Sequence, residues 1–456
     1  MSARNLSERG VAPDLPTADA AATADELYPE EALARALALA GEVTERPRLE
    51  STRERTITRR GVMWLGQTCN LRCYFCYFID RIETTTHPEH PFMTLEKAKK
   101  ICKTLVDTFG NDAIDIQGGE PTIWPHILDL VRYCREIGLF PTLITNALVL
   151  DKPEKCQAYK DAGIGDFLVS VHGIGEVHDR VVQLPGAHVR QMKALRNLRE
   201  AGIPFRFNCV LSKPVVAQLP QVAELAVRTG ARVLNFLTFN PFEDQARGGK
   251  RSANNVPMYG EISTQLEKAL DILDDAGVEA NVRYLPLCMV KERHRKSIYN
   301  FQQLPYDHHE WDYASWGWTG LVEQRMKWGE VSPVLQLETL RTPARFRKQI
   351  DWILARPRLR SALFKLHNGV ARVAAALRSK DTLYRHNARI RAESHCGYIY
   401  AAACNECSAK NICDGFHGDY ADLFGTSEAT PFGGPKLKDP RHYIRTQDKI
   451  VDGASA

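Results

Sequence analysis

Short apolar runs alternate with amphipathic segments between residues 60 and 285 of this 456-residue chain. The apolar runs have the length of buried strands, and the segments between them repeat apolar residues at helical spacing. The predicted strands cover 61–65, 113–117, 141–145, 167–171, 205–211, 232–238 and 279–284. The predicted helices cover 94–108, 127–137, 189–201, 221–229 and 259–276. This alternation predicts a parallel sheet of βαβ units in an α/β fold, and the number of units favours a partial (β/α)6 TIM-like barrel over a closed one.

The rest of the chain lacks this alternation. Residues 1–55 are rich in Ala, Pro and Glu and contain one helical stretch, 30–39. An aromatic-rich run, 306–318, is followed by a basic helical segment. We therefore expect an N-terminal extension (1–55), a barrel (56–290), a basic helical insertion or lid (291–395), a cysteine-rich region (396–440) and a tail (441–456).

The composition, with 44% apolar and 25% charged residues, is typical of a globular protein. No run of 18 apolar residues is present, which argues against a membrane span. The first 31 residues carry several acids and no apolar core, so neither a secretory signal nor a transit peptide is indicated. We expect a cytoplasmic protein, in which the twelve cysteines serve as metal ligands and free thiols rather than as disulfides.

Positive charge is concentrated in residues 341–395, which hold fourteen Lys and Arg and three acids. Such a segment is typical of a solvated helical face, or of a contact for an anionic partner such as a phosphorylated substrate or a membrane surface. Aromatic residues are sparse there, and no nucleic-acid-reading motif is present. Nucleic acid is therefore a poor candidate partner.

Three closely spaced cysteines, Cys69, Cys73 and Cys76, follow the first predicted barrel strand. Iron–sulfur clusters are held by such thiolates, and a cubane cluster normally takes four of them. Three ligands leave one iron open for chemistry. The alternative, in which these residues are small apolar core side chains, explains the spacing poorly.

The cysteine triplet, with Phe75 before its last member, resembles the signature of the radical S-adenosylmethionine (radical SAM) superfamily. Gly118-Gly119-Glu120-Pro121, at the end of the next strand, resembles the GGEP motif of that superfamily, and the resemblance covers roughly 60–285. It implies a [4Fe-4S] cluster with an open iron, S-adenosyl-L-methionine on that iron, and a flavodoxin- or ferredoxin-type reductant. It also implies reductive cleavage to a 5′-deoxyadenosyl radical, which abstracts hydrogen from a substrate.

The resemblance further implies which residues contact the cofactor. These are Phe75, Gly118, Gly119, Glu120, Pro121, Asn146, Ser170 and Asn208. Asn146, Ser170 and Asn208 are equally well explained as ordinary hydrogen-bonding residues on strands or at their ends. His172 and His178 are candidate acid/base groups near the barrel mouth, although a lone histidine is more often structural.

A second cysteine group, Cys404, Cys407 and Cys413, resembles the SPASM and twitch auxiliary-cluster domains of the superfamily. Cys288 and Cys396 are both candidates for the fourth ligand, and a Pro-x-Cys pattern in related sequences favours Cys288. His417 stands where a full SPASM pattern has a further cysteine, so we expect one auxiliary [4Fe-4S] cluster. Zinc is the alternative metal, because four thiolates also close a tetrahedral site.

Three functions remain open on sequence grounds. The favoured one is a radical SAM enzyme that acts on a small, anionic substrate of sugar, cyclitol or nucleoside type, with 341–395 as a possible contact. Its auxiliary cluster would transfer electrons or bind the substrate. The second is radical SAM modification of a ribosomally made peptide. The third is a non-catalytic iron–sulfur protein that transfers electrons or senses its environment.

Overall fold

The computed structural model describes residues 24–44, 51–52, 58–76, 90–109, 111–238, 251–300, 303, 308–312, 347–354, 397–445 and 449–450, with isolated positions between 356 and 377. Cys396 and most of the predicted insertion or lid lie outside the described residues. In the part of the chain that is described, no helix is long and apolar enough to cross a membrane.

Eleven strands occur within the described residues. They are β1 (Ser51–Thr52), β2 (Thr58–Trp64), β3 (Ala113–Gln117), β4 (Phe140–Thr145), β5 (Asp166–Ser170), β6 (Phe205–Val210), β7 (Val233–Leu237), β8 (Glu279–Arg283), β9 (Ile298–Tyr299), β10 (His308–Asp312) and β11 (Lys449–Ile450). Nine of them form one parallel sheet in the order β10-β2-β3-β4-β5-β6-β7-β8-β9. The two short strands β1 and β11 pair separately and antiparallel.

Helices connect the sheet strands, as the alternating pattern predicts. The described helices are Ala24–Leu27, Pro29–Ala40, Leu95–Phe109, Ile127–Glu136, Pro153–Ala162, Glu176–Val182, Ala187–Glu200, Lys213–Val216, Leu219–Thr229, Tyr259–Asp275, Arg347–Leu354 and Gly418–Phe424. The expected partial barrel is confirmed, with more strands than the six-unit version. The helices Pro153–Ala162 and Glu176–Val182 were not predicted.

The two faces of the sheet differ in chemistry because successive strand residues point to opposite sides. Phe205, Phe207 and Cys209 of β6 are almost fully buried in the core beneath the helices. Arg206 and Asn208 alternate with them, are half-buried, and lie on the other side, which we call the inner face. This polar inner face is where an open barrel can hold ligands.

A buried network of charges crosses the inner face at the amino-terminal ends of the strands. Arg60 of β2 pairs with Asp115 of β3 at 2.8 Å, and Arg206 of β6 pairs with Asp166 of β5 at 2.5 Å. Thr142 of β4 joins the pairs, because it accepts from both arginines at 3.3 Å and donates to Asp166. The paired charges tie five neighbouring strands together.

The sheet extends beyond residue 290, where the sequence pattern placed the end of the barrel. β9 pairs with β8, and β10 pairs in parallel with β2 at the opposite edge. Both strands come from the segment expected to be an insertion. A two-residue strand and a strand composed of HHEWD give no apolar run, so neither has the pattern of a buried strand.

The N-terminal extension packs on the barrel helices within its described part. Arg199 donates to the carbonyl oxygens of Ala40 and Gly41, at 2.9 and 3.0 Å. Asp25 accepts from the backbone N–H of Glu176 at 2.7 Å. The helix that we expected over 30–39 covers Pro29–Ala40. Its buried alanines and leucines contribute to the main core.

Candidate cofactor and cysteine sites

The loop with Cys69, Cys73 and Cys76 follows β2 and lies against the helix Glu176–Val182. Backbone N–H groups of Arg72 and Tyr74 donate to carbonyl oxygens at the end of that helix, at 3.3 and 3.4 Å. The backbone N–H of Leu71 donates to Cys69 Sγ at 3.4 Å. The loop is therefore held largely by backbone hydrogen bonds.

Burial, together with the nearby Glu120 and Cys76, raises the pKa of the Cys69 thiol to about 12. Burial also raises the pKa of Cys73 well above its usual value, with contributions from Cys76 and Cys69. Three mutually interacting, half-buried thiols require nearby positive charge to ionise together. This donor set fits an iron–sulfur cluster, since iron supplies that charge and prefers thiolates.

Gly118 and Gly119 bring the end of β3 against the cysteine loop. Both have positive φ, at +96° and +58°. A Cβ atom on Gly119 would lie 2.0 Å from the carbonyl oxygen of Thr68, the residue before Cys69. The backbone N–H of Glu120 donates to the same oxygen at 2.8 Å. The glycine pair is thus required for the close approach of two backbones.

The Glu120 carboxylate is buried and accepts four hydrogen bonds from the chain itself. Oε1 accepts from the N–H and the hydroxyl of Thr122, at 3.0 and 2.6 Å, and from the Thr145 hydroxyl at 2.6 Å. Oε2 accepts from the N–H of Asn146 at 2.8 Å. Burial raises the pKa of Glu120, and these bonds oppose the rise. The carboxylate therefore joins the ends of β3 and β4, while Pro121 begins a short 3-10 turn.

Asn146 extends this network to the cysteine loop. Its Nδ2 donates to Asn70 Oδ1 at 2.7 Å, and Asn70 is the neighbour of Cys69. Gln191, which the sequence analysis missed, donates to the carbonyl oxygens of Asn146 and Ser170, at 3.2 and 2.8 Å. No sequence signal marked Gln191, which is one of several polar residues on an amphipathic helix. Ser170 and Asn208 lie side by side on the inner face, in register across β5 and β6.

The candidate acid/base residues His172 and His178 lie in a buried group of rings with His188 and Phe75. His172 lies edge-on to Phe75 with centroids 4.7 Å apart, and stacks with His178 at 6.0 Å. His172 Nδ1 accepts from the N–H of Val210, and His178 Nδ1 accepts from the N–H of His172, both at 3.1 Å. Burial lowers the pKa of His172 to about 3, and that of His178 well below its usual value. Neutral rings fixed in this way suit packing better than proton transfer.

The second cysteine group comes together from two distant parts of the chain. Burial raises the pKa of Cys288, and the neighbouring Cys404 and Cys407 raise it further. Burial raises the pKa of Cys413 to about 12, and nearby Cys288 adds to the rise. Cys288 therefore lies within electrostatic reach of all three C-terminal cysteines. Four thiolates are the number of ligands that a closed iron–sulfur cluster takes.

Two residues that the sequence did not indicate hold this second group. The Thr430 hydroxyl donates to the backbone carbonyl oxygen of Cys288 at 3.1 Å, and Thr430 opposes the rise of the Cys288 pKa. Lys436 Nζ donates to the carbonyl oxygens of Asn405 and Cys407, at 2.6 and 3.0 Å. His417 caps the helix Gly418–Phe424, where its Nδ1 accepts from the N–H of Asp419 at 3.2 Å.

Comparison with known families identifies part of the barrel. A family model described as the Radical SAM superfamily matches residues 65–226. Residues 65–226 are a radical SAM domain. The match includes the cysteine loop, Gly118–Pro121 and the strand ends that carry Asn146, Ser170 and Asn208. Members of this superfamily use a [4Fe-4S] cluster and S-adenosylmethionine.

Curated relatives of the radical SAM domain have different named activities. An AdoMet-dependent heme synthase of Methanosarcina barkeri is 32% identical over 174 residues, which cover 38% of this chain and 48% of that protein. A PqqA peptide cyclase of Rhodopseudomonas palustris is 29% identical over 168 residues, which cover 37% and 43% of the two chains. The chain thus spans about half the length of the curated relatives that it matches.

Among solved structures, Streptococcus suis SuiB bound to S-adenosylmethionine aligns with a TM-score of 0.40 and 17% identity. The alignment covers 50% of each chain.

Proposed function

We propose that this protein is a radical SAM enzyme whose barrel binds one [4Fe-4S] cluster and S-adenosylmethionine. The observation that carries the proposal is the contact between the cysteine loop and the glycine pair. The Glu120 N–H bonds Thr68, and no side chain fits at Gly119, so both motifs belong to one site. Two sequence motifs that meet at one backbone contact are hard to explain by chance.

Cys69, Cys73 and Cys76 would hold the cluster, and the strand ends near Gly118, Asn146 and Ser170 would face S-adenosylmethionine. With one electron from an external reductant, S-adenosylmethionine bound at this site would be cleaved into methionine and a 5′-deoxyadenosyl radical, which can remove a hydrogen atom from a substrate.

The chain's own residues orient the site and exclude water from it. The Glu120 carboxylate and the Asn146–Asn70 bond fix the cysteine loop relative to β3 and β4. The neutral His172 ring fills the space beside Phe75. Buried, preorganised surroundings of this kind are what the protein contributes in cofactor enzymes.

Cys288, Cys404, Cys407 and Cys413 would hold one auxiliary [4Fe-4S] cluster. Their mutual electrostatic effects support Cys288 as the fourth ligand. Zinc is the alternative occupant, and iron and sulfide analysis distinguishes the two.

A peptide is the substrate that we favour, with heme chemistry as the second candidate. The relatives reported above are a peptide cyclase and a heme synthase, and neither supports a sugar, cyclitol or nucleoside substrate. We therefore place a peptide before a small sugar, cyclitol or nucleoside as the substrate, which is the reverse of the order expected from the sequence.

Anaerobic reconstitution tests the proposed activity. Given dithionite and S-adenosylmethionine, the loaded protein should form 5′-deoxyadenosine without added substrate. A Cys404/Cys407 double alanine variant, which keeps the first site, should still form it. Iron-loaded protein that forms none would refute the enzyme proposal and favour the electron-transfer or sensing alternative.

A further inference from the structure

The helix Ala187–Glu200 contacts both parts of the proposed cofactor site. Its first residue, Ala187, packs in a small apolar group with Leu71 of the cysteine loop, and the Cys69 side chain lies against that group. One turn further along the same side of the helix, Gln191 reaches the ends of β4 and β5. One helix therefore lies against the cysteine loop and against the strand ends at which we place S-adenosylmethionine.

Gln191 joins two neighbouring strands through its side-chain amide. Nε2 donates to the carbonyl oxygen of Ser170, the last residue of β5, at 2.8 Å, and to that of Asn146, the residue after β4, at 3.2 Å. An amide NH2 group has two donors, one for each strand end. The pairing of β4 with β5 ends at Thr145 and Val169. Beyond that point, the glutamine holds the two strand ends together in place of the sheet.

Further hydrogen bonds fix the helix from which Gln191 projects. The Asp179 carboxylate, on the helix Glu176–Val182, accepts from the N–H groups of Gly186 and His188 at 2.6 and 2.7 Å. Carbonyl oxygens at the end of the helix Glu176–Val182 in turn accept from the cysteine loop. The two helices thus connect the position of Gln191 to that of the cysteine loop.

The other end of the Gln191 amide has no partner among the described residues. Its Oε1 atom is fully buried and accepts no hydrogen bond from them. Burial of an amide oxygen without a partner is unfavourable, and such groups are rare in folded proteins. A glutamine that served stability alone would pair both ends. The residue is therefore better explained by its donor end, which acts on Asn146 and Ser170.

We propose that Gln191 is a positioning residue for S-adenosylmethionine, because it sets the separation of the β4 and β5 ends at which the cofactor binds. The inference rests on the proposed function. Gln191 acts through Asn146 and Ser170 and does not itself touch the cofactor or the iron. Its loss should therefore weaken the binding of S-adenosylmethionine and leave the rate at saturating cofactor nearly unchanged.

Formation of 5′-deoxyadenosine by the reconstituted, reduced protein tests this role. Gln191→Met keeps the approximate length of the side chain and removes the amide. It should raise the KM for S-adenosylmethionine about tenfold, which corresponds to about 1.4 kcal/mol of lost binding. The rate at saturation should change by less than about twofold. Gln191→Asn keeps the amide but shortens the side chain by one methylene group, so its KM should lie between those of the other two proteins.

Electron paramagnetic resonance gives a second readout that a merely structural role would not change. S-adenosylmethionine should alter the spectrum of the reduced first cluster in the unmodified protein and in Gln191→Met alike. In the variant, this change should require a concentration about tenfold higher, in line with the expected rise in KM. Iron content should be the same in both proteins.

Asn197→Leu is the matched control. Asn197 is buried on the same helix and donates to the Leu150 carbonyl oxygen at 2.9 Å, in the turn that follows β4 and away from the strand ends. Both variants remove a buried side-chain amide that donates to the backbone, so a merely structural effect should appear in both. Only Gln191→Met should raise the KM for S-adenosylmethionine.

The proposal is overturned if Gln191→Met leaves this KM unchanged, or if Asn197→Leu raises it equally. Loss of iron from Gln191→Met also overturns it, because the residue would then hold the cysteine loop rather than the cofactor. If Gln191→Met does not fold, Gln191→Asn decides by the same criteria. Failure of the proposed function is a separate result, in which the unmodified, iron-loaded protein forms no 5′-deoxyadenosine.

Discussion

Substitution of Gly119 by alanine should displace the cysteine loop and empty the first cluster site. The new Cβ would lie 2.0 Å from the Thr68 carbonyl oxygen, whereas real Cβ contacts begin near 3.0 Å. The two backbones must therefore separate by about 1 Å, which breaks the 2.8 Å bond from the Glu120 N–H. The positive φ adds about 1–2 kcal/mol of strain for any residue with a Cβ atom.

Gly138→Ala is the control for the backbone strain alone. Gly138 also has a positive φ, at +81°, but its Cβ would meet nothing within 4 Å. Both variants should lose about 1–2 kcal/mol of unfolding free energy from φ. Only Gly119→Ala should also lose iron, from about eight to about four atoms per chain if each cluster holds about four.

The assay combines iron and sulfide analysis, electron paramagnetic resonance of the reduced protein, and 5′-deoxyadenosine formation. Gly119→Ala should keep the signal of the auxiliary cluster and form no product. If it keeps full iron and full 5′-deoxyadenosine formation, with stability equal to that of Gly138→Ala, the close approach at Gly119 does not position the loop.

Three further predictions follow from the cysteine loop, the histidine group and the charge network. A Cys69/Cys73/Cys76 triple alanine variant should retain about four iron atoms and form no 5′-deoxyadenosine. Burial depresses the pKa of His172, His178 and His188 below the value of about 6.5 that they have when unfolded. Their stabilising contribution is therefore complete above about pH 6.5 and is lost as the pH falls below that value, at up to about 1.4 kcal/mol per histidine and pH unit. His178→Gln should reduce that slope in urea unfolding by about one third. Asp166→Asn should lower the unfolding free energy by about 3 kcal/mol, because the half-buried Arg206 loses the carboxylate that pairs with it at 2.5 Å.

Each of these has its own control and contrary result. If the triple alanine variant holds no iron, the protein has no auxiliary cluster. His126 is exposed, so His126→Gln should leave the dependence of the unfolding free energy on pH unchanged. If it has the same effect as His178→Gln, burial of the histidines is not the cause of that dependence. Asp129→Asn breaks an exposed pair with Arg132 and should change stability by less than about 0.5 kcal/mol. If Asp166→Asn also lowers the unfolding free energy by less than about 0.5 kcal/mol, the buried network of charges does not stabilise the fold.

The barrel could be predicted because its signal is local. Helices lie between consecutive strands from β2 to β8, and most of these strands contain a short apolar run, so the pattern indicated their positions and their shared direction. β10 could not be found in this way, because its parallel pairing with β2 joins residues about 250 positions apart. The docking of the N-terminal helices was missed for the same reason, since it depends on partners such as Arg199.

The site shows the same division. The cysteine loop and Gly118–Pro121 are contiguous motifs, and the sequence located them. The choice between Cys288 and Cys396 stayed open because spacing alone does not say which thiol approaches Cys404. The sequence also did not indicate that the Glu120 carboxylate accepts hydrogen bonds from the protein itself. Its partners Thr122, Thr145 and Asn146 are ordinary polar residues, and only the fold brings them to one carboxylate.

The two cysteine groups differ in when a growing chain can complete them. The first lies within eight consecutive residues, whereas the second joins Cys288 to residues more than 110 positions later. At about 5–20 residues per second, synthesis from Cys76 to Cys413 takes roughly 17–67 s. During that interval the barrel thiols have left the ribosome while the second group does not yet exist. Iron delivered to nascent chains would therefore fill the barrel first, and scarce iron would leave chains that lack the auxiliary cluster.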